Sequence, residues 1–233
     1  ELPLVETVGK SAFSGTQIQF FEAPFLKNLN VEAFSDCRFL QTVKLQFLSE
    51  IPERTFYNCH QLIQVEAGAK KIGYAAFYNC RSLKFLKAPL KHICKQSFFN
   101  CISLLNLEYP ELEVVENNAF ENSGLQNVFL PKLSSLGNSA MLNCRNLRKF
   151  EAKKLISIGE NCFQFCNLLR KIDFPKEIEA KCDGNVFGKE KCGCFSCRGE
   201  QKEVLENGKD LKVERLMGEM GRVMGRYKLL MRT

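Results

Sequence analysis

The sequence predicts an α/β solenoid of about eight stacked units, and three observations predict it. A large apolar residue recurs at Phe13, Phe34, Phe56, Phe77, Phe98, Phe120, Met141 and Phe163, always 21 or 22 residues apart. An aliphatic stands five residues before each anchor, at Val8, Leu29, Ile51, Ile72, Ile93, Val115, Leu136 and Ile158. Cysteine stands three residues after six of them, at Cys37, Cys59, Cys80, Cys101, Cys144 and Cys166. A narrow alphabet accompanies the periodicity: 20 Phe, 12 Cys, 2 His and no Trp. A unit this short cannot bury its apolar residues alone, so neighbours must stack on it.

Each part of the unit has a local reason. After the cysteine come triplets such as Leu40, Val43 and Leu45, or Leu62, Val65 and Ala67. The alternation around Val43-Lys44-Leu45 has the two-residue period of a short strand, apolar inward and polar outward. The rest of the unit is long enough for a turn and a helical turn before the next strand. Stacking then puts each anchor in a column of Phe, with Met141 as the variant. Two units lack the cysteine and are one residue shorter after the anchor. Phe13 leads to Thr16 and Ile18, and Phe120 leads to Ser123 and Leu125. They read as a second way of closing the same turn.

The run Ile-Gly-x-x-Ala-Phe-x-x-Cys-x-x-Leu from Ile72 to Leu83 resembles the BspA-like class of leucine-rich repeats. The shorter Ala-Phe-x-x-Ser-Gly-Leu from Ala119 to Leu125 resembles it too, as do the prolines after the strands (Pro24, Pro89, Pro110, Pro131, Pro175). The resemblance covers residues 4–175. It implies a right-handed leucine-rich-repeat solenoid with a concave parallel β-sheet and short helical turns on the convex side. Members of that class are typically surface or secreted proteins of bacteria and anaerobic protists, linked to adhesion. Fold carries over from such a likeness better than function does.

If Val43 and Leu45 face inward, the residue between them faces solvent. That column reads Glu22, Lys44, Glu66, Lys87, Glu108, Phe129, Glu151, Asp173, and its first five members alternate in sign. Opposite charges on adjacent strands attract by ~0.2–1 kcal/mol per pair, so this half of the face is expected to neutralise itself. Two residues earlier the column reads Phe20, Thr42, Gln64, Phe85, Asn106, Asn127, Lys149, Lys171. Phe20, Phe85 and Phe129 are thus expected as exposed aromatics, the usual anchors of a protein interface. Lys149 and Lys171, with Arg148 and Arg170, form a basic end that would suit an acidic partner surface or stand simply solvated. The candidate partner-binding residues are Phe20, Phe85, Phe129, Lys149 and Lys171.

Charge argues against nucleic acid as the partner. The net +7 is spread over the chain, with 20 basic and 16 acidic residues in 1–175 and 13 and 10 in 176–233, and no dense basic run. The column cysteines read as buried thiols, because free Cys behaves as a small hydrophobe. Cys94 and Cys162 stand outside that column. So many unpaired thiols, and the lack of any Asn-x-Ser/Thr sequon, suit a reducing compartment. The resemblance points to the surface, and the compartment stays open. His60 and His92 have no repeated acidic partner and are expected to be structural. With no phosphate loop or nucleophile elbow, no catalytic residue, cofactor, metal or small-molecule substrate is expected.

The solenoid is expected over residues 1–175, a Cys-rich end segment or degenerate repeat over 176–198, and an amphipathic helix over 199–233. Cys182, Cys192, Cys194 and Cys197 crowd the middle segment, with a spacing unlike paired zinc knuckles. Residues 209–231 carry apolar side chains at helical spacing; a helix capping the last repeat is preferred to one lying on a membrane. The leading reading is a non-catalytic protein-interaction or adhesion module. The alternative is a solenoid carrying a Cys-rich metal- or redox-dependent effector.

Overall fold

The structure, a computed structural model, describes residues 4–179, which lie in the unit Glu1–Gly199. The Cys-rich segment beyond Glu179 and the amphipathic helix lie outside the described residues. Within them the chain is a parallel-sheet solenoid of about eight turns, and each turn carries two strands rather than one. The expected strand is present in every turn: Phe20–Glu22, Thr42–Leu45, Gln64–Ala67, Phe85–Lys87, Asn106–Glu108, Asn127–Phe129, Lys149–Glu151 and Lys171–Asp173. A second row of two-residue strands runs Thr7–Val8, Asn28–Leu29, Glu50–Ile51, Lys71–Ile72, His92–Ile93, Val114–Val115, Ser135–Leu136 and Ser157–Ile158. Its inward residue is the aliphatic found five before each anchor, so that column belongs to a sheet.

The expected short helical turns are only loosely represented, because helix is nearly absent among the described residues. It is confined there to Lys176–Glu179, whose Ile178 is buried beyond Pro175. The anchor segment is instead a turn held by its neighbour. The anchor amides donate to the next turn: Phe34 N to Thr55 O (2.9 Å), Phe56 N to Ala76 O and Phe77 N to Ser97 O (both 2.8 Å). A donor used between turns is not available for the i−4 carbonyl that a helix requires. The residues two before and two after each anchor are left-handed, for example Ala75 (φ 49°) and Asn79 (φ 59°) around Phe77. Left-handed residues within the segment also preclude a right-handed helix.

The anchors form the core. Phe34, Phe56, Phe77, Phe98 and Phe120 are buried, and their rings stack with Phe13 at centroid spacings of 5.1–5.5 Å. Met141 ends this stack, and Phe163 packs on Phe150 edge-on at 5.0 Å. The cysteine column has a second job besides filling space. Each thiol donates to the carbonyl of the preceding turn's anchor: Cys37 to Phe13, Cys59 to Phe34, Cys80 to Phe56, Cys101 to Phe77, Cys144 to Phe120 and Cys166 to Met141, at 2.8–3.2 Å. In the shorter units a hydroxyl stands in this column, with Thr16 Oγ1 bonding Phe13 O (2.7 Å) and Ser123 Oγ meeting Cys144 Sγ (3.2 Å). The short turn is tight: a Cβ at Gly124 would lie 2.0 Å from the Ile102 carbonyl oxygen. Cys162 belongs to a different column with Thr55 and Ser97, and all three donate to the carbonyl three residues back.

The long-strand row is interrupted between Phe85–Lys87 and Asn106–Glu108, giving two four-stranded sheets. At this break the hydroxyl of the half-buried Tyr109 donates to Leu86 O at 2.7 Å. The short-strand row is interrupted elsewhere, between Asn28–Leu29 and Glu50–Ile51. Among the described residues no helix is long and apolar enough to cross a membrane.

Candidate functional site

The long strands point one side chain inward and its neighbours outward, which sets the candidate surface. Phe21, Leu86 and Val128 are buried, while Phe20, Phe85 and Phe129 beside them are 66%, 63% and 46% exposed. Phe20 and Phe85 occupy one row, Phe20–Thr42–Gln64–Phe85, three strands apart. At ~4.8 Å per strand they are separated by roughly 14 Å. Phe129 is in the other sheet and another row, opposite Glu108 and Glu151. The three aromatics are therefore outward, and they do not form one patch.

The exposed aromatics that touch lie beside the strands. Phe25 and Phe47, 54% and 63% exposed, stack at 6.2 Å across neighbouring turns. Phe20 and Phe39 are exposed in the same two turns, so the N-terminal end of the array is its aromatic end. Sequence reasoning missed Phe25 and Phe47, yet the signal was present. Each immediately precedes a buried leucine, Leu26 or Leu48, and that column continues as Gly68, Pro89, Glu111 and Lys132. Farther along it the hydrophobic pair gives way to an ion pair, Lys132 Nζ to Glu111 Oε2 at 2.8 Å.

Charges arrange differently from the expected ladder. The register Glu22–Lys44–Glu66–Lys87 holds, and Lys44 bonds Glu22 at 3.4 Å, but the sheet break separates Lys87 from Glu108. At the basic end Lys149 and Lys171 pair in register. Lys149 Nζ also meets Glu151 Oε2 at 2.7 Å, which holds the Glu151 carboxyl below its usual range. Lys153 bridges Glu151 (3.5 Å) and Asp173 (3.7 Å). Part of the basic end is thus already neutralised, and Arg148, Arg170 and Lys171 remain exposed.

Burial makes the thiol column a poor source of nucleophiles. It pushes Cys59 and Cys80 far above the ordinary thiol value, and Cys144 up to about 12. His60 is lowered by burial and by Arg81 and Arg38. His92, expected to be structural for want of a repeated acidic partner, has one acidic neighbour in the structure. Its Nε2 lies 2.6 Å from Glu116 Oε1, and Cys94 Sγ completes a cluster whose ligand atoms all lie within 4.8 Å of one another. The signal was again the repeat length, because Glu116 stands 22 residues after Cys94.

Among curated proteins none matches the chain. A leucine-rich repeat protein from Bacteroides ovatus is similar in structure, with a TM-score of 0.62 and 24% identity over 73% of this chain. This chain spans 46% of that protein's length. The T. pallidum leucine rich repeat protein is also similar, with a TM-score of 0.54 and 21% identity over 66% of this chain and 86% of its own. At these identities the likeness concerns the fold. The BspA type leucine rich repeat region itself matches in six copies, over residues 2–89 and 70–192. With its anchor, cysteine and strand columns in register throughout, the chain belongs to the BspA-type leucine-rich-repeat family.

Proposed function

We propose that this chain is a non-catalytic protein-binding module of the adhesion type, and that its aromatic N-terminal turns make the principal contact. The observation that carries the reading is the exposed, stacked pair Phe25–Phe47 on turns that also expose Phe20. Large rings left in water on an otherwise well-buried scaffold lower the cost of desolvating an interface, and aromatics dominate interface hot spots. Phe85 and Phe129 add separate exposed aromatics on the long strands, and Lys171 with Arg148 and Arg170 supplies a basic far end. The raised thiol pKa values and backbone-bonded Sγ atoms support a structural use of the cysteine column.

The test is an array of purified cell-surface and matrix proteins probed with the wild-type chain and with two double variants, Phe25→Ser/Phe47→Ser and Phe85→Ser/Phe129→Ser. The wild type should bind at least one member. The first variant should lose that binding and the second weaken it, with thermal unfolding of both within a few degrees of wild type. Binding unchanged in both variants would overturn the assignment of this surface.

A further inference from the structure

The short-strand row brings three different metal-ligating side chains to one place. His92 lies on the strand His92–Ile93 and Cys94 follows it, while Glu116 follows the strand Val114–Val115. The register pairs His92 with Val114 and Ile93 with Val115, so continuing it sets Cys94 against Glu116. Each of the three is half-buried. Lys95 N donates to Glu116 Oε2 at 3.0 Å, which fixes the carboxylate and turns Oε1 toward His92 Nε2. At the same position in the other turns stand Gly9, Asn30, Pro52, Gly73, Gly137 and Gly159. The adjacent Gly73 and Gly137 place no side chain over the cluster.

We propose that His92, Cys94 and Glu116 form a zinc-binding site with an open fourth position. Imidazole, thiolate and carboxylate are the three side-chain ligands zinc uses, and three protein ligands leave one position for water. Tetrahedral bonds of ~2.0–2.3 Å set ligand atoms roughly 3.3–3.8 Å apart, so the His92–Glu116 contact opens slightly and the thiol moves in. One thiolate and one carboxylate balance the +2 charge of the ion. Lys71 is the nearby cation, and its ammonium is engaged by Glu50 at 2.8 Å. Burial and the Glu116 carboxylate push the Cys94 thiol up to about 11, so the metal-free thiol is protonated at neutral pH. Binding replaces the S–H bond by a Zn–S bond and releases that proton to solvent, which makes affinity rise with pH.

The experiment uses the full chain with C182S, C192S, C194S and C197S, so that the cysteines of the C-terminal segment do not compete. Zinc is titrated calorimetrically, and cobalt(II) is used as a spectroscopic probe of thiolate ligation. The expected result is one zinc per chain, with a near-ultraviolet thiolate-to-cobalt band. C94S should abolish the band. H92A, C94S and E116Q should each weaken zinc by at least the roughly 10–100-fold that loss of a mere outer-shell partner costs. E116Q keeps an oxygen for the Lys95 amide, so it tests ligation with the turn intact, and circular dichroism reports the fold of every variant. No thiolate band in the parent, or a band and zinc affinity unmoved by C94S and E116Q, would overturn the site.

Discussion

At the residue scale, a column thiol in six of the turns joins each to the turn before it. Cys80 fills a fully buried position and donates to Phe56 O at 3.0 Å, a carbonyl that also accepts from Cys59 N. Removing the sulfur leaves a small void and one donor fewer. Cys80→Ala is expected to cost about 1–2 kcal/mol, and Cys80→Ser less because a hydroxyl keeps the donor; urea unfolding would rank them. The same column predicts an alkaline limit. Its thiols ionise near pH 8.5–9 when unfolded and well above that when folded, so the folded state binds their protons more tightly. Their contribution is complete below about pH 8.5 and is lost as pH rises toward the folded values. Melting temperature should therefore fall above about pH 9, and less steeply in Cys80→Ala; a flat profile from pH 8 to 10 would contradict this.

At the element scale, the anchor turn depends on its left-handed residues and on the ladder they carry. The residue two after the anchor reads Gly15, Asp36, Asn58, Asn79, Asn100, Asn122, Asn143 and Phe165. Asn58 Nδ2 donates to Asp36 Oδ1 (3.0 Å), Asn79 to Asn58 (3.0 Å), Asn100 to Asn79 (2.7 Å), and Asn143 to Asn122. Asparagine suits both demands, since it tolerates positive φ and its amide both donates and accepts. Asn79→Ala loses two ladder bonds and strains the backbone, for an expected cost of about 2–3 kcal/mol. Asn79→Gly loses the bonds but keeps the φ of 59°, so it should be the milder change by about 1 kcal/mol, the reverse of the order in a helix.

At the scale of the whole array, the two sheet interruptions are staggered. Where the long-strand row breaks, the short strands Lys71–Ile72, His92–Ile93 and Val114–Val115 run on in register. Where the short row breaks, Thr42–Leu45 and Gln64–Ala67 remain paired. No single plane cuts both rows, and the Phe stack crosses both breaks. Coupling in such an array is between nearest neighbours. Phe77→Ala, which opens the middle of the stack, should cost ~3–5 kcal/mol. Amide exchange should quicken most in the turns of Phe56 and Phe98 and least at the ends; uniform acceleration would instead mean that the array behaves as one unit.

The repeat columns were legible without coordinates, because a 21–22-residue period is a property of the chain. Anchors, thiols, strands and the outward placement of Phe20, Phe85 and Phe129 all follow from it. The period also aligned Glu116 with Cys94, and Phe25 with Phe47. What no column states is the path of the backbone between columns. Inter-turn hydrogen bonds and left-handed residues put a tight turn where a helical turn was expected, and the same path created the second strand row. The thiol-to-carbonyl bonds and the sheet break between Phe85 and Phe129 were likewise decided in three dimensions. Which side chains meet across two turns depends on turn geometry and on whether the intervening unit has 21 or 22 residues, and only the folded backbone resolves that.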